Sequence, residues 1–153
     1  MKVILQRVTN ASVHVENQKI SEIQNGILFF VGVMEGDGED EAYWLAQKCA
    51  NLRIFSDDNE KMNRSLLDVE GEALVVSNFT LCANAKKGNR PSYTRSAEPK
   101  IAKNLYEYFA DVLLETGVKA VQKGIFGADM AVSLCNDGPV TLVLDTDEIM
   151  PKK

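Results

Sequence analysis

The chain has 153 residues, 45% of them apolar and 25% charged, with a formal net charge of -5. That length and apolar content suffice for one core without disulfide or metal staples, and the acidic balance excludes indiscriminate nucleic-acid binding, which needs many Lys and Arg contacts to phosphate. No apolar run reaches the roughly 18 residues of a membrane span, and the N-terminus enters strand pattern without a charged-then-apolar leader, so a single domain over residues 1–153, neither secreted nor membrane-embedded, is expected.

Met1 to Glu16 alternates loosely through Val3, Leu5, Val13 and Val15, and Asn10-Ala11-Ser12 predicts a bend or bulge within that long strand. A short strand at Lys19 to Ile23 follows, and the apolar run Ile27 to Met34 predicts a central strand covered on both faces. Behind an acidic first turn, Ala42, Leu45, Ala46, Cys49 and Leu52 recur at helical spacing, which predicts a helix over Glu39 to Leu52, with Trp44 as a second packing contact. Turn signals at Asp57-Asp58-Asn59-Glu60 and Glu70-Gly71-Glu72 divide residues 53 to 81 into strands, the last running from Ala73 to Leu81. A long loop then leads to a second helix, Lys100 to Thr116, with Ile101, Leu105, Tyr108, Phe109, Val112 and Leu113 on one side and Gly117 at its C-terminal stop. Strands resume at Val118, and two more are predicted at Met130 to Cys135 and Val140 to Asp145. About eight strands in consecutive groups with two helices predict an α+β fold built mainly from antiparallel sheets. The three cysteines, Cys49, Cys82 and Cys135, lack C-x-x-C spacing and sit in apolar patterns, predicting buried, reduced thiols and a cytoplasmic setting.

The common catalytic sets are missing. His14 is the only histidine and lies in an alternating strand, and no metal-ligand spacing or phosphate-binding glycine loop occurs, so neither metal nor nucleotide cofactor is expected. What remains is hydroxyl and amide chemistry at a strand end: Ser77, Asn78 and Thr80 carry polar side chains, and the N–H groups of Phe79 and Thr80 become oxyanion donors if the strand leaves its ladder there. Four ordinary strand residues facing a neighbour is the competing reading. Near the C-terminus, Asn136-Asp137-Gly138-Pro139-Val140-Thr141 interrupts continuous sheet, because Pro139 cannot donate to a ladder. Two readings of Gly138-Pro139 stay open: an ordinary hairpin turn, or a cis bond at a loop tip that fixes the direction of main-chain carbonyls. Arg7, with five fixed donors, suits either a brace on such carbonyls or a strand-face pair with an acid. Between residues 86 and 103, Lys86, Lys87, Arg90, Arg95, Lys100 and Lys103 face only Glu98, which makes this segment either a solvated loop or a local nucleic-acid contact.

Four motifs in register, Gln6-Arg7-Val8, Ser77-Asn78-Phe79-Thr80-Leu81, Arg90-Pro91-Ser92 and Asn136-Asp137-Gly138-Pro139-Val140-Thr141, resemble those of the D-aminoacyl-tRNA deacylase family over essentially the whole chain. The resemblance implies a cytoplasmic homodimer with a barrel-like β-core. It implies hydrolysis of the ester that joins a D-amino acid, or glycine mischarged on alanine tRNA, to the tRNA acceptor end. It further implies a cis Gly138-Pro139 bond acting as chirality filter in the partner subunit's site, a pocket lined by Ser77, Asn78, Phe79 and Thr80, no cofactor, and help from the 2'-hydroxyl of the terminal adenosine. Asn78 departs from the glutamine usual in the family, keeping the amide on a stem one methylene shorter. A non-catalytic module that holds tRNA or an amino acid is the alternative class.

Overall fold

The computed structural model describes residues 1–153, in eight strands and three helices. The hub is β1 (Lys2–Val15). It pairs antiparallel with β3 (Gly26–Gly32) along its first half, with β2 (Gln18–Ile23) along its second, and on its other edge with β8 (Ala131–Asp145). The short strands β4 (Phe55–Ser56) and β5 (Met62–Arg64) form a separate antiparallel pair.

Pairing is mainly antiparallel, as expected, but the main sheet is mixed. Strand β6 (Glu72–Ser77) runs parallel to β3, and β7 (Ala120–Lys123) runs parallel to β6. The reason lies in the connections: α1 (Glu39–Asn51) separates β3 from β6 and α2 (Pro99–Thr116) separates β6 from β7, and a helical crossover returns the chain in the same direction. Because β2 also comes against β6 and β7, the sheet curls towards a barrel.

Both helices pack on one face of the sheet. Val3, Leu5, Ile27, Phe29 and Val31 meet Leu45, Ala46 and Cys49 of α1 and Leu105, Phe109 and Leu113 of α2, with Phe29 edge-on to Phe109 at 5.9 Å. A smaller cluster of Val8, Ala11, Val13, Ile23, Leu28, Leu74 and Val76 covers the other face, so β3 and β6 are buried on both sides as the run from Ile27 anticipates. Full burial of each such side chain contributes roughly 1.5–3 kcal/mol. The Glu41 carboxylate accepts from the Gly38 N–H at 2.7 Å and closes the start of α1. At the end of α2, Gly117 adopts φ 116° and its N–H satisfies the carbonyls of Leu113 and Leu114. Trp44 packs half-buried against the core, whereas Ile101 of the expected α2 stripe is 46% exposed.

Three further expectations need correction. A third helix, α3 (Thr146–Ile149), follows β8; at four residues it carries no periodic signal, but the Asp145 carboxylate caps it by accepting from the Asp147 N–H at 3.0 Å. Cys49 and Cys82 are buried, and burial pushes both thiols up in pKa, but Cys135 is exposed because it falls on the outward-facing alternate of β8. The predicted strands at Met130 to Cys135 and Val140 to Asp145 are one strand, β8. Its register slips in the middle: Asn136 pairs with Val8 and Thr141 with Gln6, so Asp137, Gly138, Pro139 and Val140 all stand opposite Arg7. The bend expected at Asn10 to Ser12 is displaced: those residues pair in unbroken register with Cys135, Leu134 and Ser133, and the slip in β1 centres on Val8 instead.

Candidate active site

Strand β6 brings four fully buried residues, Ala73 to Val76, to the polar end at Ser77. The Asn78 N–H still donates to the Val31 carbonyl of β3 at 2.8 Å, and there the ladder stops. The chain turns into one 3-10 turn, Phe79–Cys82, where the sequence predicted strand to Leu81. Asn78 causes the exit: its side-chain oxygen accepts from the Thr80 N–H at 3.2 Å and from the Thr80 hydroxyl, offering the backbone a partner that competes with the sheet.

This strand end forms one wall of a cleft of about 840 Å³, to which Ser77, Asn78 and Phe79 contribute and Thr80 does not. The second wall is the segment Tyr93–Pro99, stitched to the end of β3 by bonds from the Glu35 N–H to the Arg95 carbonyl at 2.7 Å and from the Ala97 N–H to the Val33 carbonyl at 3.0 Å. The third is Phe126–Met130. Phe79 is 60% exposed and meets Tyr93 edge-on at 5.1 Å. At the floor the Tyr106 hydroxyl donates to the Val75 carbonyl at 3.0 Å, and burial pushes its pKa up. The cleft is mainly apolar, with hydroxyls, one amide and the carboxylates of Glu98 and Asp129, and no His, Cys or Lys lines it. It suits a ligand with a flat apolar part and a polar ester, held by donors and hydroxyls. The expected donor pair is altered: the Thr80 N–H is engaged by Asn78, and Phe79 is left as the residue whose N–H has no side-chain acceptor.

Gly138 and Pro139 are exposed and joined by a cis peptide bond. They line no wall of the cleft in the same chain, so the structure gathers the predicted residues into two groups. Arg7 belongs with the loop. Its Nε donates to the Asp137 carbonyl at 3.0 Å and lies 3.2 Å from the Asp137 carboxylate, while its guanidinium donates to the Ile54 carbonyl at 2.6 Å and faces the Phe55 ring. Brace and acid pair are thus both realised. Asn136, which sequence reasoning left unassigned, closes the loop base by donating to the carbonyls of Arg7 at 2.9 Å and Val140 at 3.1 Å. Tyr93, Phe126 and Met130 were also unassigned, and their only signal is large apolar side chains in segments without periodicity.

Beside the cleft, the Asn84 and Ser92 backbones bond each other at 2.7 and 2.8 Å and close a loop that carries Lys86, Lys87 and Arg90. None of the six cations between residues 86 and 103 forms an ion pair. A smaller polar recess of about 260 Å³ includes Asp37, Glu41, Arg95 and Thr146. Its buried Asp37 carboxylate is already satisfied by the Met1 amine at 2.8 Å and the Met34 N–H at 2.7 Å, which makes the recess structural.

The model of the D-Tyr-tRNA(Tyr) deacylase family matches residues 4–145. Among curated relatives, the D-aminoacyl-tRNA deacylase of Thermomicrobium roseum is 54% identical over 97% of this chain and 96% of its own. That of Geotalea daltonii is 51% identical over 99% of this chain and 100% of its own. Among solved structures, the c-Myc DNA Unwinding Element Binding Protein superposes with TM-score 0.89 at 38% identity, covering 95% of this chain and 98% of that one. A probable eukaryotic D-amino acid tRNA deacylase, at 16% identity, shares the fold with TM-score 0.80 over 94% of this chain and 97% of its own. A family match over almost the whole length, coinciding with a strand-end cleft and a braced Gly-Pro loop, establishes that this chain belongs to the D-aminoacyl-tRNA deacylase family, hydrolases of aminoacyl-tRNA esters.

Proposed function

We propose that this chain is a single deacylase domain that hydrolyses the ester between a D-amino acid, or glycine mischarged on alanine tRNA, and the 3' end of tRNA, and that it acts in the cytoplasm. The observation that carries this reading is a cleft of hydroxyl, amide and backbone donors, lined by no His, Cys or Lys, in a chain of this family. An aminoacyl ester is already activated. An oriented donor at the developing oxyanion contributes about 3 kcal/mol, and the vicinal 2'-hydroxyl of the terminal adenosine can assist from the substrate side, so no protein base is required. No helix is long and apolar enough to cross a membrane.

The free edge of the sheet supports a homodimer. Strand β8 pairs only with β1, and Val143 on it is 72% exposed. A long unpaired edge with an exposed apolar side chain is a template for a second copy, and in such a pair the Gly138-Pro139 loop of one subunit serves the cleft of the other. There, fixed main-chain carbonyls exclude an L side chain by steric clash. Pocket selectivity, about 10 to 200-fold per methylene, could not accept many D side chains while rejecting all L ones.

Incubation with D- and L-tyrosyl-tRNA tests the activity: loss of the D ester alone is expected, and equal cleavage of both refutes the filter. In the same assay Thr80→Ala keeps activity within about tenfold of wild type, because Thr80 lies off the cleft wall with its proton held by an amide oxygen, which is no base. Abolished hydrolysis would instead make the Thr80 hydroxyl a covalent nucleophile. For the tRNA contact, reversing charge with Lys86→Glu and Lys87→Glu weakens binding and lowers the slope of log affinity against log salt by about 0.7–0.9 per lost phosphate contact. An unchanged slope removes the loop from the interface.

A further inference from the structure

Both side-chain bonds of Asn78 are made with one residue. Its Oδ1 accepts from the Thr80 N–H at 3.2 Å and from the Thr80 hydroxyl, and it makes no other side-chain bond within the chain. A threonine hydroxyl has one proton to donate, and here it is committed to the Asn78 side chain. Phe79 stands between these two residues and is pinned on its other sides. Its carbonyl accepts from the Ser96 hydroxyl at 3.5 Å, its ring lies edge-on to Tyr93, and the preceding N–H of Asn78 is tied to Val31. Asparagine suits this task because its side-chain oxygen closes readily onto the backbone two residues ahead.

We propose that Asn78 and Thr80 form a clasp that holds Phe79 in the cleft wall, so that Asn78 is a positioning residue and neither side chain reacts with the ester. The clasp rests on the deacylase reading of the cleft. It gives the shorter amide of this chain a role that depends on reach to Thr80 and not on reach to the substrate.

The test is D-tyrosyl-tRNA hydrolysis by wild type, Asn78→Ala, Asn78→Asp, Thr80→Val and the Asn78→Ala/Thr80→Val double variant. Asn78→Ala is expected to lower kcat about tenfold, the scale of one lost hydrogen bond, with KM changed less than about twofold. Asn78→Asp keeps the acceptor atoms and stays within about threefold of wild type. Thr80→Val falls less than Asn78→Ala, and the double variant falls no further than Asn78→Ala alone, because both remove one device. Multiplicative losses, an Asn78→Asp variant as impaired as Asn78→Ala, or an unchanged Asn78→Ala would each overturn the clasp while leaving the deacylase reading intact. A wild type inert towards D-tyrosyl-tRNA overturns that reading and the clasp with it. Should Asn78→Ala fail to fold, the comparison of Thr80→Val with Asn78→Asp decides, since equal and large losses in both contradict the proposal.

Discussion

Gly138→Ala is expected to lower D-aminoacyl-tRNA hydrolysis by at least about 100-fold in a chain that still folds. A β-carbon built on Gly138 would lie 2.0 Å from the Val140 nitrogen and 3.1 Å from its Cα. Both are backbone atoms, so no rotamer change relieves the overlap and the loop itself must move. A displacement near 1 Å in a group that positions substrate costs on the order of 100-fold in rate. Asp137, Gly138 and Pro139 are exposed and only Val140 packs at the margin of a core cluster, so the thermal midpoint should fall by only about 3 °C, the equivalent of roughly 1 kcal/mol in a chain of this length. The proposed dimer adds a sharper readout. Mixing Gly138→Ala with Phe79→Ala, each inactive alone, should restore activity, because one site of the mixed dimer receives an intact loop and an intact cleft. Absence of complementation after subunit exchange would confine the loop to its own chain, and an unchanged kcat/KM for Gly138→Ala would remove it from the site.

Arg7→Ala should damage stability and activity together, through one group of contacts. The side chain is 13% exposed and bridges the Asp137 carbonyl of the loop to the Ile54 carbonyl at the start of the β4–β5 pair. Removing it leaves two carbonyls without their charged donor and leaves Asp137, Gly138, Pro139 and Val140 without their side-chain brace. Bonds to a charged donor contribute about 1.5–3 kcal/mol each, so a loss of roughly 3 kcal/mol is expected in urea unfolding. Asp137 is half exposed, and its carboxylate adds little beyond this because water screens it. Arg7→Lys should recover less than half of the loss, since a single ammonium cannot span carbonyls on two elements as the planar guanidinium does. If Arg7→Ala unfolds at the wild-type urea midpoint and deacylates normally, the brace is dispensable.

The elements with strong local chemistry were legible in the chain. The acidic first turn and apolar spacing of Glu39 to Leu52, the glycine stop at Gly117 and the continuous apolar run from Ile27 each state their conformation within a few residues. The strand end at Ser77 and the hexapeptide at Asn136 stood out as candidate sites too, because so few other polar groups were available for catalysis. Their detailed conformations were not legible. Strand signal continued through Phe79 and Leu81, and only the bond from Asn78 to Thr80 showed that the chain leaves the ladder at Asn78. The hexapeptide read as a break between two strands, yet β1 carries pairing across it and makes it a bulge in one strand.

What the sequence by itself determined is the two long helices, the core strands and the family, because helix stops, strand periodicity and short motifs are encoded in neighbouring residues. The tertiary structure decided the direction of β6 and β7, the division of the predicted residues between cleft and loop, and the partner of Arg7. These depend on pairings between residues far apart in the chain, from Arg7 to Asp137 and from Val31 to Asn78, whose energies exist only once the chain has closed on itself.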